Sequence, residues 1–120
     1  MTMTDTCCSI HPYFQVQPGQ LPAFRRLCER FIEKTRPEPG CLYYGFSVAG
    51  DVVHCREGYV DAAALLRHVE NVAALIEEAL QISAIARLEV HGPAAELEKL
   101  RGPLANLSVE FYTFECGFRR

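Results

Sequence analysis

Residues 41–59 read CLYYGFSVAGDVVHCREGY, and the rest of the chain can be read outward from them. Gly50-Asp51 is a tight-turn dipeptide between two runs rich in Tyr, Phe and Val. The pattern predicts two antiparallel strands, Cys41–Val48 and Val52–Tyr59. With Gly50-Asp51 as the loop, Val48 faces Val53, Phe46 faces Cys55, Tyr44 faces Glu57 and Leu42 faces Tyr59. Alternation along a strand puts all of these side chains on one face. That face is apolar apart from Glu57 and the phenols of Tyr44 and Tyr59. The opposite face carries Tyr43, Gly45, Ser47, His54, Arg56 and Gly58 and is more polar, which suits His54 and Arg56 to contacts with a partner copy.

Upstream, HPYFQVQ over residues 11–17 alternates as a strand, and residues 1–9 read as a polar tail. Pro18-Gly19 ends the strand. From Gln20 to about Arg36 the apolar residues Leu21, Phe24, Leu27, Cys28, Phe31 and Ile32 recur at steps of three and four, as on one face of a helix. Pro22 suits its first turn, and Pro37, Pro39 and Gly40 end it. Downstream, Asp61 is an expected N-cap for a helix over Ala62–Leu80, with Leu65, Val69, Val72, Ile76 and Leu80 along one side and His68 beside that stripe. A strand over Ala84–Val90, a short helix over Ala94–Arg101 and a last strand over Val109–Phe118 complete the order β-α-β-β-α-β-α-β. Its first six elements match the split βαβ plan, an antiparallel sheet with two helices on one face. The expectation is an α+β chain with one ferredoxin-like domain over residues 1–120. A second copy packed sheet to sheet would cover the open face, so a homodimer is expected.

Composition removes several function classes. Hydrophobic residues make up 49% of the 120 positions, enough for a real core. Twelve Lys plus Arg against fifteen Asp plus Glu give a formal charge of -3, a poor match for nucleic acid. No apolar stretch reaches the roughly 20 residues that span a bilayer. The first nine residues have neither a basic nor an apolar leader region, so secretion is not expected. Six cysteines lie in no metal-binding spacing, and Cys7 and Cys8 are adjacent, so they read as reduced thiols in a cytoplasmic protein. Phosphate loops, nucleophile elbows and paired metal carboxylates are missing.

Pro39-Gly40-Cys41-Leu42-Tyr43-Tyr44, Glu57-Gly58-Tyr59-Val60-Asp61 and Ala64-Leu65-Leu66-Arg67-His68 together resemble the antibiotic biosynthesis monooxygenase family. Its pattern runs Pro-Gly-Cys into a strand, then E-x-W-x-D, then a helix with a His seven residues after the Asp; Asp61 and His68 keep that spacing. The likeness covers about residues 11–92. It implies a dimeric α/β barrel with a pocket between sheet and helices in each protomer. Among its members are cofactor-free oxygenases of anthrones and quinols, haem-degrading enzymes and an isomerase. This chain departs at Tyr59, where the family has Trp, and it contains no Trp at all. Trp there is associated with several oxygenase and haem-degrading members.

His68 is the first candidate for catalysis, since an imidazole can take a proton from a phenol or enol near neutral pH. The other reading is a structural, hydrogen-bonded His. Glu57 is the second. A carboxylate on an apolar face is costly unless paired or protonated, and burial would raise its pKa into the range of acid–base work. Its other reading is an ion pair with an Arg of the first helix or of a partner chain. Tyr44 and Tyr59 could orient a substrate oxygen or simply fill the core, Phe46 shares their face, and Asn71 lies one turn beyond His68. Together with these residues, the resemblance implies a cofactor-independent monooxygenase of a small aromatic, quinol or enol-type metabolite. The alternatives are a non-catalytic small-molecule-binding or stress-response protein of the same fold, or an isomerase or haem-binding member. No cofactor is expected; haem, held by one His in an apolar pocket, is the less favoured option.

Overall fold

A computed structural model describes residues 5–120. Its elements are β1 (Cys8–Val16), α1 (Leu21–Thr35), β2 (Cys41–Ala49), β3 (Val52–Tyr59), α2 (Ala62–Asn71), α3 (Ala73–Gln81), β4 (Ser83–Gly92), α4 (Ala94–Arg101) and β5 (Glu110–Thr113). The strands form one open sheet in the order β2-β3-β1-β4-β5. All neighbours are antiparallel except β4 and β5, which run parallel. This is the α+β, ferredoxin-like plan with an added C-terminal helix and strand.

The core lies on one face of the sheet because the strands alternate. In β1, Cys8, Ile10, Phe14 and Val16 point inward, while Ser9, His11, Tyr13 and Gln15 face the other way. Pro12 has no N–H to give, and the pairing of β1 with β3 is interrupted beside it, resuming at Tyr13. Two apolar clusters share the inner face. Phe14, Val53, Phe24, Phe31 and Val72 pack under α1 and α3. Ile10, Tyr59, Leu65, Val90, Leu97 and Leu100 pack under α2 and α4. Among the described residues no helix is long and apolar enough to cross a membrane.

The hairpin pairs as its sequence implies for Val48–Val53, Phe46–Cys55 and Tyr44–Glu57. It departs at Leu42. The register shifts between Cys41 and Tyr43, Cys41 takes the place opposite Tyr59, and Leu42 turns outward, 39% exposed. The expected single helix over 62–80 is two, meeting at Val72, whose φ of -103° and ψ of 9° lie outside helical values. Val72 is buried in the Phe14 cluster, so the junction between the two helices is itself packed into the core.

Residues 1–4 of the expected tail lie outside the described residues, but residues 5–9 are not a tail. Cys8 is fully buried, the Thr6 hydroxyl donates to the Val60 carbonyl at 2.6 Å, and Asp5 accepts from Arg119 at 3.0 Å. The last strand is shorter than expected. It pairs with Glu89–Gly92 only, and the chain leaves the sheet after Thr113, with Phe114 and Phe118 in solvent.

Candidate functional site

Glu57 and Tyr59 sit two residues apart on β3, so both point into the core. The Tyr59 hydroxyl donates to Glu57 Oε1 at 2.6 Å. Opposite them, α2 starts where the Asp61 carboxylate accepts from the Ala64 amide at 2.9 Å. Two turns on, that helix turns His68 toward the sheet. His68 Nε2 lies 3.1 Å from Glu57 Oε1, the same oxygen that Tyr59 engages. His68 Nδ1 lies 2.8 Å from Glu38 Oε2. The result is a line of acid, imidazole and acid, in which His68 is 3% and Glu57 4% exposed. The partner of Glu57 is thus a histidine of the same chain rather than an arginine.

Glu38 is the member that sequence reasoning missed. It stands in the loop between α1 and β2, flanked by Pro37 and Pro39. The loop is held close to α2 because Gly40 packs where a Cβ would come within 2.6 Å of the Ala64 Cβ. Asn71, expected at the pocket edge, donates its amide to Glu38 Oε2 at 2.7 Å and to the Lys34 carbonyl at 3.0 Å. It therefore orients Glu38 and pins the loop to the end of α1. The one advance signal was a carboxylate held in a rigid Pro-Glu-Pro-Gly stretch.

Aromatic rings wall the line. The Tyr59 and Tyr44 ring centroids lie 5.0 and 5.3 Å from that of His68. Phe46 is one layer further out, 5.5 Å from Tyr44 and 5.9 Å from Phe31. A cleft of about 190 Å³ opens beside Tyr44, between the end of α1 and the start of β2, with Thr35, Arg36 and Cys41 in its lining. The buried Thr35 hydroxyl there has no partner in hydrogen-bonding geometry. A second cleft of about 490 Å³ lies on the other side of the loop, lined by Glu38, Asn71, Lys34 and Arg67 among others.

Electrostatics set the protonation. Burial disfavours the imidazolium of His68, but the hydrogen bonds and charges of Glu57 and Glu38 outweigh it and hold the pKa above its ordinary value. The raised pKa favours the form of His68 in which both ring nitrogens donate. Burial, and after it the charge of Glu57, push the Tyr44 and Tyr59 phenols and the Cys55 thiol upward, so all three stay neutral. Such a site offers an acid and a base in contact, within an apolar wall.

His11, His54 and His91 are elsewhere, on the open face of the sheet. Among the described residues no group of three His, Cys, Asp or Glu could hold a metal ion.

Comparison with known proteins follows this geometry. The model of the family described as "Antibiotic biosynthesis monooxygenase" matches residues 9–75. The crystal structure of MupZ from Pseudomonas fluorescens is similar over 95% of this chain and 94% of that one, with 52% identity and a TM-score of 0.91. Rv0793 from Mycobacterium tuberculosis is 22% identical over 72% of this chain and 94% of its own, with a TM-score of 0.65. A conserved protein from Methanosarcina mazei Go1 is 19% identical over 72% of this chain and 91% of its own, also at 0.65. The last two share the fold. A search of curated proteins finds no match.

Proposed function

This chain belongs to the antibiotic biosynthesis monooxygenase family, and from that premise we propose that it is an enzyme moving a proton on a small aromatic, quinol or enol-type metabolite bound between sheet and helices. The contact of 3.1 Å between His68 and Glu57 carries this reading. A buried carboxylate and a buried imidazolium side by side are a base and an acid. Glu57 takes the proton from an acidic C–H or O–H through its oxygen not engaged by Tyr59. His68 balances the charge and returns a proton to the product. His68 is the first candidate for the base from the sequence; since both carboxylates favour its protonated form, this reading gives His68 the part of the acid and Glu57 that of the base.

In the oxygenase form the substrate carbanion then passes electrons to O2. A methylene becomes a carbonyl, with one oxygen atom in the product and the other leaving as water. The reaction uses no cofactor. A haem iron would need a free imidazole nitrogen, and both of His68's face carboxylates. One observation favours a second reading, isomerisation without oxygen. O2 chemistry needs only a base, whereas acid and base together suit the movement of a proton between two atoms of one substrate.

The working unit in this reading is a homodimer formed through the open sheet face, burying on the order of 1,500 Å². Its six cysteines are free thiols, consistent with a cytoplasmic setting.

The test is oxygen uptake and solvent-deuterium incorporation with anthrones and hydroquinones under metal-free conditions. Wild type should consume oxygen, and Glu57→Gln should lower the rate by about 10²–10⁴-fold. Deuterium wash-in without uptake supports isomerisation. A compound that binds and returns unaltered and unexchanged would refute both.

A further inference from the structure

We propose that the open face of the sheet is a self-association surface whose grip on a second copy of this chain is released by protonation of His11, His54 and His91. The inference rests on the dimeric reading above and goes beyond it. The three imidazoles lie side by side across β3, β1 and β4. The rings of His11 and His54 are 5.8 Å apart and nearly parallel, and those of His11 and His91 are 5.1 Å apart, edge to face. Tyr13 packs on His54 at 4.4 Å and Tyr112 stacks on His91 at 4.7 Å. Together these make a half-buried aromatic strip in the middle of the face. Tyr and Arg with few lysines are the composition of an interface core.

The charges on and around the strip decide the occupant. Arg56 projects from β3 beside Tyr43, and Arg87 and Glu89 from β4, paired at 2.7 Å. Glu110 of β5 accepts from Arg87 at 2.8 Å, and Asp5 and Arg119 neutralise each other at the Tyr43 end. Three guanidinium groups thus stand against three carboxylates, and with neutral imidazoles these described groups carry no net charge. Two such faces meet without repulsion. Protonating all three histidines makes each face +3, and the two faces then repel.

The charges of Glu89 and Glu57 act on His11 and favour its proton. At His11, burial and then the two neighbouring imidazoles oppose it more strongly and lower the pKa. A covering copy would remove more water and lower it further.

Sedimentation velocity with purified full chain at pH 8 and pH 5, with circular dichroism as a check of folding, tests this. The expected result is a dimer at pH 8 whose dissociation constant rises at least about 100-fold by pH 5, as uptake of one proton per protomer over a single pH unit requires. The triple variant His11→Gln, His54→Gln, His91→Gln should remain dimeric at pH 5. Independently of any variant, log Kd of wild type should rise as pH falls from 7 to 5.5. A flat dependence, or a triple variant that dissociates like wild type, overturns the proposal and leaves the dimer standing. A monomer at pH 8 overturns the dimer itself.

Discussion

Replacing Glu38 by Gln removes one charge from the buried line and keeps an oxygen able to accept from His68. Glu38 Oε2 is 2.8 Å from His68 Nδ1, and the side chains are 15% and 4% exposed, so water screens the pair weakly. A hydrogen bond to a charged group contributes about 1.5–3 kcal/mol. A neutral one contributes about 0.5–1.5 kcal/mol, so the exchange removes about 1–1.5 kcal/mol of the preference for the imidazolium, and the pKa of His68 should fall. The assay is an NMR titration of the His68 ring carbon-bound protons, in wild type and Glu38→Gln. A linked stability measurement must agree in sign. His68 is raised in the fold, so its contribution is complete below about 6.5, the unfolded value, and fades as pH climbs through the folded value. Wild type should therefore lose stability as pH rises above about 6.5, and Glu38→Gln should lose less over the same rise. A His68 pKa that stays put or rises in the variant would refute the view that two carboxylates hold the proton.

Three further outcomes are expected. Gly40→Val forces a Cβ against Ala64 and should cost about 1–3 kcal/mol in thermal or urea unfolding, whereas Gly45→Ala, with open space around it, should be close to neutral. Leu97→Ala removes a fully buried side chain beneath α4 and should cost about 2–5 kcal/mol in urea unfolding; a cost below about 1 kcal/mol would mean that α4 is not part of the core. Thiol labelling with a disulfide reagent at pH 7.5 should show one fast cysteine, the exposed Cys116, and Cys116→Ser should abolish that phase. Burial holds back the others, with Cys28 and Cys41 pushed up to about 11 and Cys8 to about 12.

The central hairpin was legible because a two-residue turn and strict alternation determine pairing from Tyr44–Glu57 to Val48–Val53. Leu42 was not, because a bulge at the far end of β2 answers to how the incoming loop packs on α2, which no local pattern records. The division of the second helix at Val72 escaped because the apolar stripe continues through it and no Gly or Pro marks the break. Cys8 looked like tail because its burial depends on partners far along the chain, Leu97 and Leu100 among them. In the site, His68 and Glu57 could be named from burial and helix position. Glu38 could not, since its partner is 30 residues away and it sits in a loop without period. Long-range polar contacts carry no periodic signature.

The buried line also limits how this sequence can change over generations. Remove His68 alone and two carboxylates are left without their partner in a nearly dry interior, a loss of about 3–5 kcal/mol for a typical buried pair; remove Glu57 or Glu38 alone and the ring loses one of its two partners. A whole fold is usually stable by only about 5–15 kcal/mol. Exchanging all three for apolar residues could be neutral, but every single step toward that state crosses a valley. The three positions are therefore epistatic, and a lineage that ceased to use the site would keep them long after selection on its chemistry had relaxed. In a related sequence, the intact trio would record common descent more securely than a common substrate.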